Sequence, residues 1–152
     1  MKTTIYTEQS DFDIPPDRIK SLVQKTLEFL EVETDEVVIH FVDVAAITEL
    51  HGQFFDDPTP TDCISFPLEG KSRPHGLSSH SVLGEVFVCP KVALNYIKEN
   101  GGTASEEISL YVVHGLLHLI GYEDHTPEML DMQEKAINYL KKAHLLSWEK
   151  MS

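Results

Sequence analysis

The stretch TASEEISLYVVHGLLHLIGYEDH, residues 103–125, decides how this chain folds. Thr103 with Glu106 three residues later matches the capping box that begins a helix, and Gly121 suits a helix end. Between them, residues 108–120 are apolar on nearly every side, apart from two histidines. Because a helix that is apolar all round is normally buried, we predict a central helix with the rest of the chain packed around it.

Three histidines in this stretch have the spacing of metal ligands. His114 and His118 lie one turn apart on one helix face, so their imidazoles can converge on one ion. Gly121 lets the chain reverse, and a short loop can then return His125 as a third ligand. A chance i, i+4 pair is expected roughly 0.4 times at this histidine content, but the whole constellation only about 0.001 times.

The chemistry of this pattern favours a bound cation. Burying an imidazole costs free energy unless each ring nitrogen has a partner, and one cation can serve both rings. The alternative to a metal site is a pair of core histidines whose nitrogens are satisfied by hydrogen bonds. Three histidine ligands leave one position for water, which is typical of a hydrolase. The pattern resembles the zinc-peptidase motif HExxHxxGxxH, but Gly115 stands where those enzymes carry their catalytic glutamate.

The remaining sequence alternates helices and strands in one domain, residues 1–152. Hydrophobic periodicity and turn residues predict about four strands with helices around them. The predicted elements are strand 3–7, helix 15–32, strand 36–44, helix 45–55, strands 63–68 and 82–89, helix 90–100, and a last helix from Thr126 to about His144.

Composition narrows the class of protein. The 152 residues are 41% hydrophobic, which suits one compact domain, and no apolar run approaches the roughly 20 residues of a membrane span. MKTTIYTEQS lacks the apolar region of a signal peptide, so we expect a cytoplasmic protein without membrane contact. Cys63 and Cys89 each lie in an apolar run and are expected to be buried thiols.

The net charge of −13 argues against a nucleic-acid partner, because such proteins usually carry a basic surface. Lys71, Arg73, His75 and His80, with Lys91, offer one local basic patch, for which a solvated loop is the alternative. The histidines outside the motif follow no ligand spacing and are expected to be ordinary residues: His40, His51, His75, His80 and His144.

Three blocks of the chain resemble the YbeY endoribonucleases, also called rRNA maturation factors. HGLLHLIGYEDH (114–125) resembles the family's HGxLHLxGYDH, PTDCISFP (60–67) its PTDVLSFP, and LGEVFVCPKVA (83–93) its LGDIVIC block. The resemblance implies an α+β fold, with a four-stranded mixed sheet flanked by helices and the metal in a cleft. It also implies a metal-dependent, single-strand-specific endoribonuclease acting in ribosomal RNA 3′-end maturation and ribosome quality control.

The resemblance further implies one zinc ion per chain, held by the catalytic residues His114, His118 and His125. The implied partners are single-stranded and ribosomal RNA and the ribosome or its proteins. GYEDH is one residue longer than the family's GYDH, so Asp124 competes with His125 as third ligand. Glu85 stands where the family usually has an aspartate. Its carboxylate either accepts a hydrogen bond from a ligating imidazole or is an ordinary strand side chain.

Phe55 stands where the family usually carries an arginine. Arg73 or a lysine could supply the cation instead, a base could stack on Phe54 or Phe55, or both rings could pack in the core. Three functions therefore stay open: a metal-dependent endoribonuclease, another metallohydrolase, and a ribosome-binding factor whose zinc is structural. Ser65 has no base fixed beside it by the sequence and is not predicted to be catalytic.

Overall fold

The computed structural model describes residues 1–68 and 80–148 and gives a four-stranded mixed sheet with five helices. The elements are β1 (Lys2–Glu8), α1 (Pro16–Phe29), β2 (Glu36–Val42), α2 (Val44–Phe55), β3 (Cys63–Pro67), β4 (Val82–Val88), α3 (Pro90–Asn100), α4 (Ala104–Leu119) and α5 (Pro127–Lys142). The α+β fold expected from the sequence is confirmed, and each predicted element is present within a few residues of its expected bounds.

The strand order in the sheet is β1-β2-β4-β3. β1, β2 and β4 run parallel, with Ile5 opposite Ile39 and Ile39 opposite Val86. β3 is an edge strand that pairs antiparallel with β4, placing Ser65 opposite Val86. The sheet is therefore mixed, because β3 runs antiparallel to its neighbour β4.

α4 is the central helix that the sequence predicts. It contacts β3, β4, α1, α3 and α5. Val112, Val113, Leu116 and Leu117 are fully buried along it. The Thr103 hydroxyl caps the helix by accepting the Glu106 backbone N–H at 3.2 Å, as the capping-box pattern predicts.

The sheet has two unequal faces. One face carries Val37, Ile39 and Phe41 into the main core beneath α1 and α4. The other face is covered by α2, where Ile47 packs with Val42, Ile64 and Cys89 in a smaller cluster. Both α2 and α4 contact the edge strand β3, each from its own face of the sheet.

The basic patch expected around residue 71 falls largely outside the described part of the chain, since Lys71, Arg73 and His75 belong to residues 69–79. His80 is described, and its Nε2 lies 2.9 Å from the Glu36 carboxylate. Across the described ranges, no helix has both the length and the apolar character needed to cross a membrane.

Candidate metal centre

His114 and His118 meet on one face of α4, as their spacing predicts. Their Nε2 atoms lie 3.1 Å apart, and their rings are nearly perpendicular. The two side chains are 18% and 25% exposed, so they are sheltered but reachable from solvent. The two imidazoles therefore share one small space at the surface of the core.

The other ring nitrogens are held by neighbouring oxygen atoms. His118 Nδ1 lies 3.0 Å from the Tyr122 carbonyl oxygen, and His114 Nδ1 lies 2.7 Å from Gln133 Oε1 on α5. A carbonyl oxygen only accepts hydrogen bonds, so both Nδ1 atoms carry the proton. The two Nε2 atoms then face each other 3.1 Å apart, where one cation or one proton can be shared between them.

Asp124 completes a three-atom cluster. Its Oδ1 lies 3.4 Å from His114 Nε2 and 3.5 Å from His118 Nε2. In a tetrahedral site with bonds of about 2.0–2.1 Å, ligand atoms are about 3.3–3.4 Å apart. These three atoms, all within 4.8 Å of one another, therefore fit the donor set of a zinc ion.

His125 lies beside this cluster rather than in it. Its side chain is 85% exposed, and its Nε2 is 3.7 Å from Asp124 Oδ2. Gly121 has a φ of 107° and reverses the chain as expected, and His125 itself has a positive φ of 59°. Asp124 thus lies close to the His125 ring on one side and to His114 and His118 on the other. The role of His125 as third ligand stays a prediction.

The cluster lies in a pocket of about 400 Å³ between α2, β3 and α4. The lining residues are His51, Phe55, Thr61, Asp62, Cys63, Ile64, Ser65, Pro67, His114, His118 and Asp124. Within the described ranges, this lining includes no lysine and no arginine. A larger cavity of about 680 Å³ opens beside the C-terminal half of α1, but no motif histidine lines it, so the chemistry identifies the smaller pocket.

His51, which the sequence predicts to be an ordinary residue, lines the pocket. Its Nδ1 donates to the Thr59 carbonyl oxygen at 2.8 Å, and its Nε2 lies 4.0 Å from Asp57. No sequence signal could identify it, because it is more than 60 residues from the motif and has no ligand spacing. Gln133 is a second residue that the sequence does not identify, because the packing of α5 on α4 brings it to His114.

Cys63 and Ser65 also line the pocket. Cys63 is only partly buried, but desolvation, with contributions from Asp62 and Asp124, raises its pKa well above the ordinary value. Among the described residues, the cluster of converging ligand atoms does not include the Cys63 thiol. Ser65 donates its hydroxyl to the Gly115 carbonyl oxygen at 2.8 Å.

Gly115 packs directly against β4. A Cβ atom at this position would overlap Val86 and lie 3.2 Å from Ser65 Oγ. The side chain of a peptidase glutamate has no room here, so the departure from HExxHxxGxxH follows from the close packing of α4 on the sheet.

The structure decides between the alternatives that the sequence left open for Glu85, Phe54 and Phe55. Glu85 lies 2.8 Å from His40 Nε2 and is 38% exposed, so its partner is a strand residue rather than a motif histidine. Phe54 and Phe55 are each 55% exposed, so the alternative that both pack in the core is wrong. Phe54 leans edge-on against Phe66, whereas Phe55 lines the pocket.

Comparisons with known proteins give one consistent result. The family model described as "Endoribonuclease YbeY" matches residues 4–144. A protein named "Endoribonuclease YbeY" from Chlamydia felis is 38% identical to this chain, over 96% of this chain and 95% of the relative. A protein of the same name from Protochlamydia amoebophila is 41% identical, over 88% of this chain and 87% of the relative. A Thermotoga maritima protein solved in solution shares the fold, with a TM-score of 0.61 and 24% identity over 99% of each chain.

Proposed function

Because the chain belongs to the YbeY endoribonuclease family, we propose that it is a metal-dependent endoribonuclease that cuts single-stranded RNA. We place its activity in the cytoplasm, in ribosomal RNA 3′-end maturation and ribosome quality control, with the ribosome or its proteins as partners. The observation that carries the metal dependence is the pair of Nε2 atoms, 3.1 Å apart, with the Asp124 carboxylate beside them.

In this proposal, one zinc ion per chain is held by His114 and His118 from α4 and by His125 from the following loop, with Asp124 as the competing third ligand. A bound zinc ion acidifies water and draws charge from phosphoryl oxygens. Imidazole ligands suit this metal because it prefers borderline donors.

The neighbouring residues hold the imidazoles in the orientation that metal binding requires. The Tyr122 carbonyl and Gln133 keep the Nδ1 protons in place, which leaves each Nε2 free to bind. Such partners fix the tautomer and the ring orientation of metal-binding histidines. The protein therefore presents two preset ligands to the ion.

The test combines metal analysis with cleavage of defined RNA. Purified protein should contain about one zinc per chain and should cut a labelled single strand but not the matched duplex, and chelation should stop cleavage. His114→Ala should abolish both metal binding and cleavage. His80→Ala is the control, because His80 is 59% exposed and pairs with Glu36 away from the pocket. Undiminished cleavage by His114→Ala would reject the proposal.

A ribosome-binding factor with a structural zinc is the second candidate. The net charge of −13 and the described pocket lining, which has no lysine or arginine, favour docking on basic proteins over binding phosphates. Stoichiometric zinc with no cleavage of any single strand would support this candidate over the nuclease. The acidic residues would then form the functional surface.

A further inference from the structure

Phe55 forms an exposed aromatic wall of the metal pocket. It is the last residue of α2, it is 55% exposed, and it lines the same pocket as His114, His118 and Asp124. Its ring lies 5.7 Å from the His51 ring at an angle of 48°. The pocket therefore presents a large apolar surface to solvent beside the metal cluster.

The helix end that carries this ring is anchored to the loop before β3. His51 donates Nδ1–H to the Thr59 carbonyl oxygen at 2.8 Å, which ties α2 to the loop before β3. Asp56 ends the helix directly after Phe55 with a positive φ of 55°, and its N–H donates to the Gly52 carbonyl oxygen at 3.1 Å. The Phe55 ring therefore extends from an anchored helix end, with the His51 ring beside it.

Among the described residues, the lining of this pocket is acidic rather than basic. Its described lining contains two carboxylates, Asp62 and Asp124, and neither a lysine nor an arginine. Phosphate groups away from the metal therefore find no ion-pair partner among these residues. An aromatic face, in contrast, attracts unpaired bases by stacking, and every base has such a face.

We propose that Phe55, backed by His51, stacks an unpaired nucleobase next to the phosphate that lies at the metal cluster. This inference rests on the proposed function and names how the same site holds RNA. A base inside a duplex is already stacked on its neighbours, so this contact also gives the pocket a preference for single strands.

The neighbouring ring provides a matched control. Phe54 has the same side chain and the same 55% exposure, but its ring packs edge-on against Phe66 at 5.0 Å between centroids and does not line the pocket. Phe54→Ala and Phe55→Ala therefore remove the same surface from adjacent positions, and only the second change removes the stacking partner.

The experiment is a double-mutant cycle between protein and RNA. Zinc-loaded protein is tested on a single-stranded RNA and on copies with one abasic nucleotide at each position flanking the cleaved bond. Phe55→Ala should lower kcat/KM about 10- to 100-fold on intact RNA, while Phe55→Trp and Phe54→Ala should keep it. On the abasic copy that removes the stacked base, the loss from Phe55→Ala should shrink to within about 2-fold.

A binding measurement separates this inference from the proposed function. An oligonucleotide with 2-aminopurine at the identified position, and with methylene phosphonate linkages that resist hydrolysis, is titrated with zinc-loaded protein. Stacking on Phe55 should quench the fluorescence, and Phe55→Ala should remove the quenching. Quenching without cleavage of normal RNA at any position would keep the stacking site and reject the nuclease. Equal losses from Phe55→Ala on intact and on every abasic RNA would overturn the stacking site while the nuclease stands.

Discussion

The two nitrogens of each motif histidine have different roles. Nδ1 of His114 and His118 donates to an oxygen of Gln133 or Tyr122, and Nε2 faces the shared space. Because Gln133 and Tyr122 hold the Nδ1 donors, the two Nε2 atoms face each other as a property of the folded chain itself. The loop then offers two candidates for the third position, a carboxylate at 3.4–3.5 Å from the imidazoles and an exposed imidazole beside it.

We expect His125→Ala to weaken zinc binding by orders of magnitude and Asp124→Ala by about 10- to 100-fold, as loss of a supporting partner does. An imidazole keeps the site less negative than a carboxylate does, and the 85% exposed His125 side chain can reorient without leaving buried contacts. Zinc titration against a competing chelator measures both variants. If Asp124→Ala is the more damaging change, the third ligand is the carboxylate already beside His114 and His118.

At the scale of elements, the site depends on where α4 ends and α5 begins. The connection is short: Gly121 reverses the chain, and Thr126 caps α5 by accepting the Met129 N–H at 3.2 Å. The Thr126 hydroxyl also donates to the Glu123 carbonyl oxygen at 3.0 Å. One side chain therefore fixes both the helix start and the loop that carries Asp124 and His125.

Thr126→Ala and Thr103→Ala form a matched pair, because each removes the hydroxyl cap of one long helix. Both changes should lower the free energy of unfolding by about 1 kcal/mol. Only Thr126→Ala should also weaken zinc binding, by about 10-fold, because only Thr126 holds the ligand loop. Urea unfolding and zinc titration of both proteins provide the comparison. Equal zinc affinities would show that the loop is held by other contacts.

Over the whole molecule, the charge of −13 opposes the approach of RNA. A metal ion and an aromatic surface allow binding with few phosphate contacts, since neither needs a basic groove. An acidic body also suits a position among basic ribosomal proteins. These two features make the proposed nuclease and a ribosomal location compatible.

The affinity for single-stranded RNA should therefore fall gently with salt. We expect a slope of about −1 to −3 in a plot of log affinity against log salt concentration, which corresponds to few neutralised phosphates. Fluorescence anisotropy with the hydrolysis-resistant oligonucleotide over a potassium chloride series measures the slope. A much steeper slope would reveal a basic groove, and Lys71 and Arg73 would be the first residues to substitute.

The sequence by itself determined the features that depend on local periodicity. The apolar run after Thr103 predicted α4, and the i, i+4 spacing placed His114 and His118 on one face, because a helix fixes neighbours four residues apart. The strand runs and turn residues likewise predicted about four strands and their flanking helices, which the fold confirms.

Only the tertiary structure decided which distant residues share the pocket. The strand order and the packing of α2 and α5 bring His51, Phe55 and Gln133 to the α4 histidines. The tertiary structure also leaves Phe54 and Phe55 exposed and pairs Glu85 with His40. These contacts join residues with no fixed spacing along the chain, and they arise from the packing of whole elements, which local periodicity does not encode.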